Sequence, residues 1–167
     1  PSLAAEVAPN GVRRTNGEQT LATVWGGRYK IAAANRRGGR SLTVHRLVMD
    51  ELREHDSWDA YNAAVPAMNA VPDAQVFMIT NAGDDRSEVL NTLREQAIEG
   101  LDERLGIFEW SSPDGRAATD VEALAQANPN LGRRIDLDAI MGDAMRAQAK
   151  GGEQLTSFLT EVHCRRV

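Results

Sequence analysis

Three short apolar runs, "RLVM" (46–49), "QVFMIT" (75–80) and "LGIFEW" (105–110), are separated by stretches long enough to return to the same side of a sheet. Between the first two lies a helical pattern with Trp58, Tyr61, Val65 and Met68 on one face, interrupted at Pro66. Between the last two lies a second helix from Ser87, with Leu90, Leu93, Ala97 and Leu101 spaced for burial. Strands of four to six residues alternating with helices imply crossover connections. The expected fold class is therefore α/β, with a mainly parallel sheet and flanking helices.

Upstream, "TLATVWGGRYKIAAA" sets Leu21, Thr23 and Trp25 before a Gly26-Gly27 turn and Tyr29, Ile31 and Ala33 after it, which predicts a β-hairpin. Residues 1–19 are polar and aperiodic and read as a lead-in loop. Downstream, Thr119 and Glu122 have capping-box spacing for a short helix that stops at Asn128-Pro129. The segments "DLDAIMGDAMRAQA" and "QLTSFLTEV" read as two more helices, broken at "KGGE". The division expected is a lead-in over 1–19, a core over 20–132, and C-terminal helices over 133–167.

Composition narrows the function classes. The 167 residues carry a net charge of -5, so any contact with nucleic acid must come from a local basic patch rather than bulk charge. A single cysteine, Cys164, excludes an internal disulfide and a cysteine zinc site within one chain. No apolar run approaches the ~20 residues of a bilayer span, and a cytoplasmic setting is expected.

Chemistry is expected beyond the carboxyl ends of the parallel strands, where loops and helix N-termini converge. The first strand ends in Asp50-Glu51 and the second in Thr80-Asn81-Ala82-Gly83. An acidic pair beside a hydroxyl-amide pair suits phosphoryl chemistry, with Asp50 holding Mg²⁺ through water and Glu51 orienting the attacking water. Thr80 and Asn81 fit the sensing of a terminal phosphate. The bland reading is that strands at a solvated edge often end in acids.

Four segments in order, "GGRSLTVHRLVMDELREHDSWDAYNAAVPAM", "QVFMITNAGDDRSEVLNTLR", "GIFEWSSPDG" and "QANPNLG", resemble the large terminase subunit of tailed bacteriophages, the ATP-driven DNA-packaging motor. The resemblance runs from about Tyr29 to Gly132 and extends over most of the remainder. It implies part of a RecA-like (ASCE) P-loop ATPase core preceded by the hairpin, with "LVMDE" as Walker B. On that footing Asp50 is the Mg²⁺ residue, Glu51 the catalytic carboxylate, and Thr80 and Asn81 the polar members of the coupling motif. Arg40, in the basic loop with Arg36 and Arg37, is the candidate phosphate-contacting or trans-acting arginine. The cofactors implied are ATP and Mg²⁺. The partners implied are double-stranded DNA, the portal protein, the small terminase subunit and further copies in a ring, in the host cytoplasm and at the procapsid portal.

Three departures stand against this pattern. No glycine-rich loop ends in lysine and a hydroxyl residue, because the only lysines are Lys30 and Lys150. The acidic cluster of the terminase nuclease domain is missing. Arg46 stands where a fourth apolar Walker B residue is usual. The expectation is thus the portion of the ATPase from Walker B onward. Its alternative is a non-catalytic assembly module derived from it.

Overall fold

The computed structural model describes residues 3–17, 19–33 and 43–167. It resolves into two compact units, one of residues 1–47 and 58–77, the other of 48–57 and 78–167.

The first unit holds a short helix α1 (Leu3–Glu6) and an antiparallel sheet of β1 (Val7–Arg13), β2 (Thr20–Thr23) and β3 (Arg28–Lys30), in the order β1-β2-β3. The predicted hairpin forms, with Leu21 opposite Tyr29 and Thr20 opposite Lys30. Its turn closes by bonds from Thr23 N–H to Gly27 O and from Gly26 N–H to Thr23 O, and Gly26 takes φ +83°. Trp25 lies in the turn rather than in the strand.

Strand β1 falls inside the stretch read as a loop. Its "VAPNGVR" contains turn residues because the strand is bulged between Val7 and Val12, with Asn10 at φ +58°. A Cβ on Gly11 would lie 2.6 Å from Ala22 O, so the close approach to β2 requires glycine there.

The same unit contains α2 (Asp59–Ala64), continued as a 3-10 turn over Val65–Met68 with Pro66 in its first turn. Ala60, Ala63 and Met68 are buried, and Trp58 packs edge-on against Tyr61 with ring centroids 5.2 Å apart. The out-of-pattern Arg46 ties the start of its strand to a neighbouring loop, since its Nη1 donates to His45 O and Asp73 O, both at 2.8 Å.

Strands β4 (Arg46–Asp50) and β5 (Gln75–Ile79) form a two-stranded parallel sheet. The chain is thus mixed α/β, as expected, but its sheets among the described residues are not mainly parallel. The difference lies in "LGIFEW", which forms no strand. Phe108 is 86% and Trp110 56% exposed, so little apolar burial offsets the entropy of ordering a ladder there. Side chains tie the segment instead: Arg94 grips Glu109 at 2.6 and 3.0 Å, and Ser111 Oγ donates to Glu109 at 2.9 Å.

The second unit is otherwise helical, with α3 (Glu88–Glu99), α4 (Val121–Ala127), α5 (Leu137–Lys150) and α6 (Gly152–Glu161). The N-cap of α4 is Asp120, whose carboxylate accepts from Ala123 N–H at 3.1 Å, one residue later than the capping box predicts. Asp136 caps α5 in the same way, and the predicted break before α6 is made by Gly151 and Gly152, both at positive φ. Leu124, Ala144, Ala147, Phe158 and Leu159 form the core with Ala118. Each fully buried Leu or Phe contributes roughly 1.5–3 kcal/mol.

Candidate functional site

The site is built from the ends of β4 and β5 and from α6, using residues of the second unit alone. Along β4 the faces alternate, so Met49 is buried and Asp50 exposed. Glu51 then takes φ +50° and ψ +50°, a left-handed conformation uncommon for a residue with a Cβ. Its N–H bonds to Asp50 Oδ1 at 3.1 Å. This reversal starts the 3-10 turn Leu52–Glu54, anchored by Leu52, which is buried.

The turn places Arg53 at the centre of the polar network. Its side chain, 18% exposed, donates from Nε to Glu51 Oε2 at 3.1 Å and from Nη1 to Glu161 Oε1 at 2.6 Å, with Glu54 at 3.3 Å. Glu161 extends the chain of contacts, because its Oε2 accepts from Asn81 Nδ2 at 3.0 Å. Three elements therefore meet through one guanidinium and one carboxylate. The Arg53 hydrogen bond holds Glu161 below the ordinary glutamate range, assisted by Asn81 and opposed by partial burial, and the same bond raises the Arg53 pKa.

The Arg53 backbone is fixed from both sides. Its N–H donates to Thr80 Oγ1 at 3.0 Å, and that hydroxyl in turn donates to Asn81 O at 2.9 Å. Its carbonyl accepts from the buried Ser87 Oγ at 2.8 Å. Gly83 permits this: a Cβ there would lie 2.4 Å from Ser87 Oγ and 2.6 Å from Ser87 Cβ. Asp84 N–H completes the loop by donating to Ser87 Oγ at 3.2 Å.

Asp50, Glu51, Thr80 and Asn81 thus lie in one unit, at the ends of paired strands, where the sequence sets them. Arg40 lies outside the described residues, as do Arg36 and Arg37. Arg53 and Glu161 escape the sequence reading. "ELREHD" has the look of a solvated charge run, and the partner of its arginine is 108 residues away. No local pattern announces such a pairing.

Asp50 is exposed, and one of its carboxylate oxygens accepts from the Glu51 amide. No three His, Cys, Asp or Glu side chains converge as a metal set among the described residues. Neither lysine lies in a phosphate-cradling loop: Lys30 is on β3 and Lys150 ends α5.

A second network, not foreseen, lies beyond α6. His163 is fully buried. Its Nε2 lies 3.0 Å from Ala118 O and its Nδ1 2.9 Å from Ser112 Oγ. A carbonyl only accepts, so the proton is assigned to Nε2 and the hydroxyl donates to Nδ1. Burial pushes the His163 pKa down, favouring this neutral form against the smaller opposing effect of the Ala118 bond. Sealed from solvent, the Ser-His pair is a structural pin rather than a nucleophile.

These features belong to a recognised architecture. The chain has the fold of part of a phage large terminase: it superposes on the crystal structure of the HK97 bacteriophage large terminase with a TM-score of 0.79, at 18% identity, over 93% of this chain and 33% of that one. In sequence it is 30% identical over 121 residues to Protein YmfN of Escherichia coli (strain K12), covering 68% of this chain and 26% of that protein. The chain therefore spans about a quarter of its curated relative and about a third of its structural neighbour. No family model matches it. No helix among the described residues is long and apolar enough to cross a membrane.

Proposed function

We propose that this chain supplies the Walker B and coupling portion of a large-terminase ATPase that drives double-stranded DNA into a procapsid. The observation that carries the reading is the Arg53 network, which joins Glu51 to Thr80 and Asn81 on a terminase fold. On this reading Asp50 would hold Mg²⁺ through water, and a bound ion would supply charge neutralisation at a phosphate. Glu51, projected past the strand end by its left-handed backbone, orients and deprotonates the attacking water. Thr80 and Asn81 respond to the terminal phosphate. Because Asn81 shares Glu161 with Arg53, a shift of Asn81 is felt at the end of α6. The lysine loop comes from another segment, and DNA, the portal, the small terminase subunit and ring neighbours are the partners. The setting is the host cytoplasm and the procapsid portal.

The second reading is a non-catalytic assembly module derived from such an ATPase; neither Lys30 nor Lys150 lies in a phosphate-cradling loop. Nucleotide held without the amides and lysine of that loop is bound weakly. Steady-state ATPase assays with Mg²⁺, on the chain alone and mixed with a terminase segment carrying the loop, separate the two. Turnover is expected only in the mixture, and Glu51→Gln is expected to reduce it by at least ~100-fold. An associated mixture without turnover would establish the module.

A further inference from the structure

An acidic chain contains one sheet that is locally basic. Residues 3–33 carry Arg13, Arg14, Arg28 and Lys30 against Glu6 and Glu18, while the whole chain has a net charge of -5. The pairing register sorts these cations by face. Arg13 is opposite Thr20, Thr20 opposite Lys30, and Ala22 opposite Arg28. Directly opposed residues share a face and alternate residues return to it. Arg13, Arg28 and Lys30 therefore stand on one face of β1-β2-β3, separated only by Thr20 and Ala22. All three are exposed, and none is ion-paired to a carboxylate among the described residues.

Their spacing is that of an extended polyanion contact. Arg28 and Lys30 are about 7 Å apart along β3, and Lys30 and Arg13 roughly 10 Å apart across two strands. The register puts Leu21 and Tyr29 on the opposite face. A single strand is gripped by cations with aromatic platforms interleaved among them. A duplex presents its phosphates outward, and the cations of this face are separated by Thr20 and Ala22 with no aromatic side chain between them. Arg13 and Arg14 also line an open surface depression of about 380 Å³ together with Leu21, Tyr29 and Ile31.

We infer that the Arg13-Arg28-Lys30 face of this sheet is a sequence-independent docking surface for the phosphate backbone of duplex DNA. The charge pattern belongs to the sheet itself; the biological use of such a contact rests on the packaging reading. Binding is measured without nucleotide, so failure of the ATPase assignment leaves this test intact.

The experiment is fluorescence anisotropy of a labelled 30-base-pair duplex with the full chain between 50 and 200 mM NaCl. Three phosphate contacts predict a slope of log Kobs against log salt near -2.7, a loss of roughly 40-fold over that range. The exposed triple variant R13Q/R28Q/K30Q, with its fold checked by circular dichroism, is expected to flatten the slope to near zero. Tyr29→Ala is expected to leave duplex affinity unchanged. The proposal is overturned by no duplex binding at 50 mM salt, by an unchanged slope in the triple variant, or by single-strand binding tighter than duplex and lost in Tyr29→Ala. It is also overturned if R36Q/R37Q/R40Q abolishes binding while R13Q/R28Q/K30Q does not.

Discussion

Two polar networks are attached to the end of α6, two residues apart, and bonds of similar length do different work in them. Glu161 reaches Arg53 and Asn81 at 2.6 and 3.0 Å with 45% of its side chain in solvent. His163 reaches Ser112 and Ala118 at 2.9 and 3.0 Å with none exposed. In water an ion pair is exchanged for hydration at little cost, typically 0–1 kcal/mol. In a sealed site each orphaned group costs about 1–3 kcal/mol. The first network can therefore change partners cheaply, while the second fixes where the helix ends.

The contrast is broken most forcefully at the buried network. His163→Ala removes a packed ring and orphans the Ala118 carbonyl, and is expected to cost roughly 2–5 kcal/mol. In thermal unfolding this appears as a drop of about 5–15 °C at this chain length. A variant that melts with the parent would show that the pin holds nothing.

Acid sharpens the comparison. Because burial lowers the folded pKa of His163 below its ordinary 6.5, the unfolded chain takes the proton first. The stability this residue contributes is complete above about pH 6.5 and declines as pH falls through its lowered folded value. The difference in stability between the parent and His163→Gln should shrink over that window, measured by urea unfolding at stepped pH. Asp120, held at about 2 chiefly by its hydrogen bond to Arg116, acts in a separate and lower window: its contribution is present above about 3.8 and fades toward pH 2. A difference between parent and variant that changes only below pH 4 would assign the effect to carboxylates instead.

The smallest effect is expected at the exposed network. Glu161→Gln keeps the acceptor for Asn81 and removes the charge facing Arg53, for a cost under about 1 kcal/mol that disappears in 1 M NaCl. A salt-insensitive loss of several kcal/mol would place Glu161 with the buried group and remove the basis for treating it as a movable link.

What the sequence displays follows from the range of the forces involved. The hairpin is legible because Gly26-Gly27 and the flanking alternation are local, and the placement of Asp50 and Thr80 at strand ends is legible because each closes an apolar run. Strand β1 is hidden, since Pro9, Asn10 and Gly11 resemble a turn and only the approach of Ala22 O makes the glycine necessary. "LGIFEW" errs in the other direction: it has strand composition without burial. The pairs Arg53-Glu161 and Ser112-His163 join residues far apart in the chain, and an isolated charge or histidine gives no indication of its partner.

The backbone of Glu51 carries an evolutionary consequence. A glycine at φ +50° would be relaxed, and an asparagine nearly so, whereas glutamate there stores on the order of 1 kcal/mol of strain. Mutation therefore always has a stabilising route away from the carboxylate at this position. In copies of the gene under no demand for the acid, drift should run toward Gly or Asn at residue 51; where the acid is needed, it should persist against that gradient.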